Sequence, residues 1–227
     1  MYRFPTVILS RHLHRRKLSS TTSQPLELPL SHPIYTIWGS NTAVGKTLVS
    51  AGIAASSLLS SPSPIKFHYL KPLQTGFPSD SDSRFIFNKL RHLHNRNPYN
   101  SRISISLSNR VLNFSPAAST NQVKEINGFV GEDGSDSSEL LCKTLYAWEG
   151  AVSPHLAAER EGFFVEDSAV LETLHRCFCE VVESGVGKER SEVLCIVETA
   201  GGVASPGPSG SLQCDLYRFV LYPSNFV

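Results

Sequence analysis

Apolar positions along this chain gather into short blocks, and their spacing switches between two periods. Ile34–Trp38 (IYTIW) is an apolar run rich in β-formers and reads as a buried strand. Beyond Gly39 the period lengthens. Leu48, Val49, Gly52, Ile53, Ser56 and Leu59 fall on one stripe of an amphipathic helix that opens near Gly45 and stops at Ser61-Pro62-Ser63-Pro64. Phe67–Leu70 is a second buried strand, with Lys71 and Pro72 where it ends. Strand, loop, helix and strand make a βαβ unit, which requires a right-handed crossover and parallel pairing.

Residues 79–140 carry a weaker pattern. They hold a helix near Arg84–Leu93, polar stretches such as Asn95–Asn100, and the run Gly131–Glu139 (GEDGSDSSE), which reads as a solvated loop rather than a metal site. A helix returns at Ser153–Arg160, with Ser153 as N-cap and Pro154 at the first helical position. Asp167–Ser184 is the clearest helix, with Val170, Leu171, Leu174, Cys177, Phe178 and Val181 on one stripe. Glu192–Val197 (EVLCIV) is a third buried strand; it ends at Glu198 and a Gly/Pro/Ser-rich loop through Gly210. The elements predict an α/β fold with a mostly parallel sheet flanked by helices, and no internal repeat.

Composition changes this picture at one end only. The 227 residues are 41% hydrophobic and 18% charged, with a net charge of +1, which suits a folded domain and argues against a disordered or collagen-like chain. No apolar run reaches the roughly 18 residues of a membrane-spanning helix. The first 26 residues, however, hold Arg3, Arg11, Arg15, Arg16 and Lys17 and no acid, with Ser and Thr between them. That is the composition of an organelle transit peptide over about residues 1–25, with the mitochondrion as the expected address, the chloroplast as its rival and a basic tail without an address as the plain alternative. Taking those five cations from the 21 basic residues leaves 16 against 20 acids, so the remainder is mildly acidic and does not suit nucleic acid. Cys142, Cys177, Cys179, Cys195 and Cys214 include no C-x-x-C pair and read as buried thiols of a reducing compartment. The H-x-H pairs at His12/His14 and His92/His94 lack further ligands at zinc spacing.

The strongest chemical signal is Gly39-Ser40-Asn41-Thr42-Ala43-Val44-Gly45-Lys46-Thr47, set between a predicted strand and a predicted helix. That context is what a phosphate-binding loop requires. Backbone N–H groups of Asn41 to Gly45 and the helix N-terminus face an anion, Gly45 lets the backbone approach closely, Lys46 reaches the β/γ-phosphates and Thr47 offers a hydroxyl to Mg²⁺. Five residues separate Gly39 from Gly45, where the usual motif has four. Nucleoside triphosphate binding follows; the reaction does not. In a parallel sheet the strand ends share the edge where this loop lies. Glu198 can therefore reach a cation opposite Thr47, Asp80 or Asp82 can supply a second carboxylate, and Lys71 can neutralise phosphate charge.

These pieces together resemble the dethiobiotin synthetase family. The resemblance runs through GSNTAVGKT, Lys71-Pro72-Leu73-Gln74-Thr75-Gly76, Ser81-Asp82, Ser153-Pro154-His155 and Glu198-Thr199-Ala200-Gly201-Gly202, in that order, and covers about residues 34–218. The wording around Phe77–Asp82 and Gly202–Gly210 is similar to the plant branch, in which the synthetase is joined to an aminotransferase and works in mitochondria. The resemblance implies ATP- and Mg²⁺-dependent conversion of diaminopelargonic acid and CO₂ or bicarbonate to dethiobiotin, by a homodimer. It implies Lys46 and Lys71 at the carbamate and γ-phosphate, and Thr47, Asp82 and Glu198 around Mg²⁺. It also puts Thr42, Thr75 and Gly201 against the diamine or carbamate, with Ser153 nearby. Asn41, Ala43 and Thr199 depart from residues frequent in bacterial members. The competing readings are a ParA/MinD-like ATPase switch, disfavoured because no lysine stands early in the loop, and a non-catalytic nucleotide-binding fragment. The family resemblance further leads one to expect strands beyond Glu198 that Phe219–Val227 does not match, so the P-loop domain over residues 26–218 is expected to be partial and residues 219–227 a divergent tail.

Overall fold

A computed structural model of the chain describes residues 32–96, 105–116, 128–130, 137–185 and 192–218. In chain order they form β1 (Ile34–Ile37), α1 (Lys46–Ser60), β2 (Ile65–Gln74), α2 (Asp82–Arg96), β3 (Ile105–Phe114), β4 (Gly128–Val130), β5 (Ser138–Ala147), α3 (Pro154–Glu161), α4 (Asp167–Gly185), β6 (Glu192–Glu198) and α5 (Gln213–Leu216). The strands lie in the order β1-β6-β2-β5-β3-β4. All neighbours are parallel except β4, which pairs antiparallel with β3. This is the expected mostly parallel α/β sheet. The basic N-terminal segment, His12/His14 and Phe219–Val227 lie outside the described residues.

Side-chain alternation along β6 shows why the sheet is covered on both faces. Val193, Cys195 and Val197 join a cluster built on Val170, Leu174, Cys177, Phe178 and Val181 of α4. Ile196 joins another, with Ala51, Ala54 and Leu58 of α1 and Ile86, Phe87 and Leu90 of α2. Strands buried on both faces are nearly continuous in apolar residues, as parallel strands are. The α4 stripe packs as its periodicity predicts, save that Leu171 is only half-buried.

Several boundaries and one face differ from the sequence-based expectation. The α1 stripe is rotated: Leu48 is 67% and Val49 52% exposed, Ile53 and Leu59 are only partly buried against the core, and Ser50, Ala51, Ala54 and Leu58 are buried. Lys46 and Ser50 must face the sheet edge to reach their polar partners, and the small alanines let the helix lie close to the sheet. β2 does not stop at Leu70 but runs on to Gln74 through Lys71 and Pro72, because β5 continues beside it to Ala147. The helix expected near Arg84–Leu93 begins earlier, at Asp82. Ser138 and Glu139, expected in a solvated loop, open β5, which pairs with both β2 and β3. All five cysteines are free; Cys142, Cys177 and Cys195 are buried, and Cys179 and Cys214 are partly exposed.

Among the described residues a few buried polar atoms lack a hydrogen-bond partner, and His68 of β2, itself buried, lacks one at both ring nitrogens. Burial, then the nearby charges of Lys143, Lys66 and His32, hold its pKa down at about 3 against an ordinary 6.5. The unfolded chain thus binds a proton below pH 6.5 that the folded chain refuses, and stability must fall as pH drops from 6.5 toward 3. Replacing His68→Leu is expected to flatten that fall. In urea unfolding at stepped pH, the variant should gain on the wild type progressively below pH 6.5; parallel curves would refute the assignment.

Candidate functional site

The site begins with backbone geometry. After β1 the chain turns through the loop 39–45, with Ala43 at φ 58° and Gly45 at φ 92°, both left-handed. Such turns aim successive N–H groups into one concavity, and α1 adds its own N-terminal amides there. The Asn41 Oδ1 accepts from Thr42 N at 2.8 Å and stiffens the loop. Lys46 donates to Asn41 O at 3.0 Å and to Gly201 O at 2.7 Å, so it ties the phosphate loop to the loop after β6. Burial and the neighbouring Lys71 push the Lys46 pKa down, against the pull of Glu198 and Asp82. An anion placed in the concavity would favour its charged form.

The second loop, after β6, closes against the first. Val203 N donates to Gly39 O at 2.9 Å, and Gly202 N donates to Ser205 Oγ at 2.8 Å. Gln213 exchanges hydrogen bonds with both backbone groups of Ala200. A Cβ at Gly202 would sit 2.4 Å from the Ser40 carbonyl oxygen, so only glycine lets the two loops touch.

The polar centre follows from parallel register. Leu70 pairs with Val197, so the next residues, Lys71 and Glu198, are level at the sheet edge. Glu198 is fully buried. Its Oε1 lies 2.8 Å from Thr47 Oγ1 and 3.1 Å from Lys71 Nζ, while Lys71 Nζ lies 2.6 Å from Asp82 Oδ2. Thr47 Oγ1 is also 2.8 Å from Asp82 Oδ1. Asp82 rather than Asp80 meets Thr47. Burial opposes the Lys71 charge, but Glu198 and Asp82 together outweigh it and hold the pKa above its ordinary value.

Thr47 has one hydroxyl proton for two carboxylate oxygens at hydrogen-bonding distance. A set of two carboxylates and a hydroxyl, all hard oxygens beside the Lys71 ammonium, suits a small hard cation.

These groups line a cavity of about 570 Å³. Asn41, Thr42, Ala43, Gly45, Lys46, Thr47, Lys71, Thr75, Asp82, Glu198 and Gly201, all singled out from the sequence, lie on its wall; Gly39 and Val44 do not. Ser153 also lines it. It holds the N-cap position of α3, yet its hydroxyl makes no cap hydrogen bond.

Sequence reasoning passed over four supporting residues. Gln74 donates to Thr75 O at 2.8 Å and Asp80 O at 2.7 Å and accepts from Asp82 N at 3.0 Å, which sets the acid-bearing loop. Ser50 and Tyr69 both hydrogen-bond Glu198. Gly202 makes the loop contact. Two had a signal: Ser50 stands three residues after Thr47 on a helix, and Tyr69 two before Lys71 on a strand, so each shares its neighbour's face.

A glycine loop between strand and helix, a lysine over its concavity and strand-end carboxylates meeting its threonine define a P-loop NTPase-like α/β domain. The family model described as an AAA domain matches residues 34–129. The chain is a homologue of the bifunctional dethiobiotin synthetases. It is 57% identical, over an alignment of 224 positions that covers 92% of this chain, to the Arabidopsis thaliana protein named bifunctional dethiobiotin synthetase/7,8-diamino-pelargonic acid aminotransferase, mitochondrial. It is 48% identical over 206 residues to the rice protein of the same name, with 88% of this chain covered. An Emericella nidulans protein named bifunctional dethiobiotin synthetase/adenosylmethionine-8-amino-7-oxononanoate aminotransferase is 30% identical over 188 residues, 82% of this chain and 17% of its own length. The chain spans about a quarter of the plant relatives, 26% and 24% of their lengths.

The loop contact can be tested directly. Gly202→Ala is expected to cost about 1–3 kcal/mol and to weaken binding of a non-hydrolysable triphosphate. Gly52→Ala, in α1 with open space around it, should instead stabilise by about 0.4–1 kcal/mol. Thermal unfolding with and without the analogue checks both.

Proposed function

We propose that this chain carries the dethiobiotin synthetase reaction: the ATP- and Mg²⁺-dependent carboxylation and ring closure of 7,8-diaminopelargonic acid. The observation that carries the reading is the meeting of Lys46, Thr47, Lys71, Asp82 and Glu198 around one cavity in a chain related over 92% of its length to a protein named for that activity. Thr47, Asp82 and Glu198 would hold Mg²⁺, which when bound supplies positive charge to the triphosphate oxygens.

One substrate amine adds to CO₂ and loses a proton, forming a carbamate. A carbamate oxygen attacks the γ-phosphorus and ADP leaves, giving a carbamic–phosphoric anhydride. The second amine attacks the carbonyl carbon, loses a proton, expels phosphate and closes the ureido ring. Each step gathers or shifts negative charge, so what the protein contributes is position and fixed positive charge.

The Lys71 ammonium, held charged by its carboxylates, stands where a carbamate and γ-phosphate would meet. Lys46 and the amides of the phosphate loop hold the β- and γ-phosphates. Thr42, Thr75 and the backbone of Gly201 line the same wall and would orient the diamine and carbamate.

The relatives' names and the basic, acid-free first 26 residues favour a mitochondrial address, with residues 1–25 as the transit segment and 26–218 as the catalytic domain. The chloroplast remains the alternative address, and a homodimer the assembly that the family implies.

Purified protein is expected to release ADP only when diaminopelargonic acid and bicarbonate are both present. Lys46→Ala should abolish turnover, and Lys71→Ala should lower kcat at least 100-fold, about 3 kcal/mol of transition-state stabilisation. Tight ATP binding without such turnover would refute the reading in favour of a nucleotide-binding fragment, and an unaffected Lys71→Ala would refute that residue's role.

A further inference from the structure

Glu198 is held in an asymmetric way that the proposed reaction does not require of a simple metal ligand. Its two oxygens face different surroundings. Oε1 looks toward the cavity, with Thr47 Oγ1 at 2.8 Å and Lys71 Nζ at 3.1 Å. Oε2 looks into the protein, where Tyr69 Oη donates at 3.0 Å and Ser50 Oγ at 2.7 Å. Both donors are uncharged, and Ser50, Tyr69 and Glu198 are each fully buried. They come from three elements: Ser50 from α1, Tyr69 from β2 and Glu198 from the end of β6. Ser50 is one helical turn from Thr47, and Tyr69 shares a strand face with Lys71. The elements that bring the cavity its hydroxyl and ammonium therefore also bring the two hydroxyls behind the carboxylate.

We propose that Tyr69 and Ser50 are positioning residues that lock Glu198 so that only Oε1 can reach a cation, and that this lock makes the site select Mg²⁺ over Ca²⁺. Two neutral donors occupy Oε2 without neutralising the carboxylate, so its charge is shared at Oε1 between the Lys71 ammonium and an incoming cation. Turning the carboxylate to offer both oxygens would break two buried hydrogen bonds to a charged group and leave the Tyr69 hydroxyl unpaired, while Ser50 would fall back on Lys46 O at 3.1 Å. Mg²⁺ takes one oxygen per carboxylate in a small, regular octahedron; Ca²⁺ is larger and readily takes carboxylates through both oxygens. A carboxylate fixed to one-oxygen binding suits the first and penalises the second. Asp82 has a looser counterpart: its backbone N is set by Gln74, but its side chain is partly exposed and bound on the cavity side only. Discrimination accordingly rests on Glu198.

The inference depends on the reading of this cavity as a divalent-cation site. The experiment measures Mg²⁺ and Ca²⁺ affinities of full-length protein, with a non-hydrolysable ATP analogue present, by calorimetry and by competition against Mn²⁺ followed by electron paramagnetic resonance. Tyr69→Phe removes one oxygen from the core and keeps the ring; Ser50→Ala removes the other donor. Each is expected to weaken Mg²⁺ about tenfold and the pair about 100-fold, the range found for outer-sphere partners of metal ligands. Ca²⁺ should change little, so the Mg²⁺/Ca²⁺ ratio falls with it. Leu58→Ala, buried on the same sheet face far along α1, controls for loss of packing: it should lower the unfolding temperature and leave the ratio unmoved. Variants that bind Mg²⁺ with the wild-type ratio, or a ratio that falls equally in Leu58→Ala, would overturn the lock alone. Wild-type protein that binds the analogue with no dependence on Mg²⁺ would overturn the cation reading and the lock with it.

Discussion

A carboxylate buried without solvent has to be matched by charge and hydrogen bonds, and Glu198 imposes that demand on everything near it. It is fully buried at the end of a central strand. Thr47 and Ser50 of α1, Tyr69 and Lys71 of β2, and Asp82 at the head of α2 answer it directly or through Lys71. Breaking such a buried pair by removing one member costs on the order of 3–5 kcal/mol. The strand order β1-β6-β2 therefore does more than fill a sheet. It sets β6 between the strand that delivers the phosphate loop and the strand that delivers Lys71. Fold and site share one arrangement of charges.

The same demand explains the rotation of α1. Hydrophobicity alone would turn Leu48 and Val49 to the sheet. Lys46 and Ser50 turn it instead, since each has a partner on the sheet side, Gly201 O and Glu198 Oε2. A charged hydrogen bond of about 1.5–3 kcal/mol, with the cost of a stranded buried carboxylate behind it, outweighs partial exposure of two aliphatic side chains. The alanines left facing the core then set how closely helix and sheet approach, and with them the distance from Thr47 to Glu198. The contact of Gly202 with the Ser40 carbonyl serves the phosphate loop in a similar way: it presses the loop after β6 against it and brings Gly201 O to Lys46.

The sheet was only half legible. Ile34–Ile37 and Glu192–Glu198 stand out as apolar runs between turn residues. The first of these, expected to be buried, is an edge strand with Tyr35 56% exposed. β5 is far more buried, yet Glu139, Lys143 and Thr144 interrupt its run, and an acid- and serine-rich segment precedes it. Those interruptions are tolerable because tertiary partners satisfy them. Lys143 pairs with Glu180 of α4 at 2.5 Å, and Thr144 shares a hydrogen bond with Ser83 of α2 at 2.8 Å. β3 carries Asn109, Arg110 and Asn113 and hides in the same way. A polar residue with a distant partner looks, in sequence, like a loop residue with none.

What the chain determined locally is the phosphate loop, the helix after it and the stripe of α4. Each is a contiguous stretch whose conformation follows from glycine, backbone N–H groups and side-chain period within a few residues. The presence of lysine, threonine and strand-end acids was likewise open to reading. Only the tertiary structure decided that Asp82 and not Asp80 meets Thr47, that Gln74 holds the intervening loop, and that Tyr69 and Ser50 stand behind Glu198. Those facts are separations of 2.6–3.0 Å between atoms from different elements. No local rule sets such distances. They come from strand order and register and from a helix rotated to satisfy a buried charge.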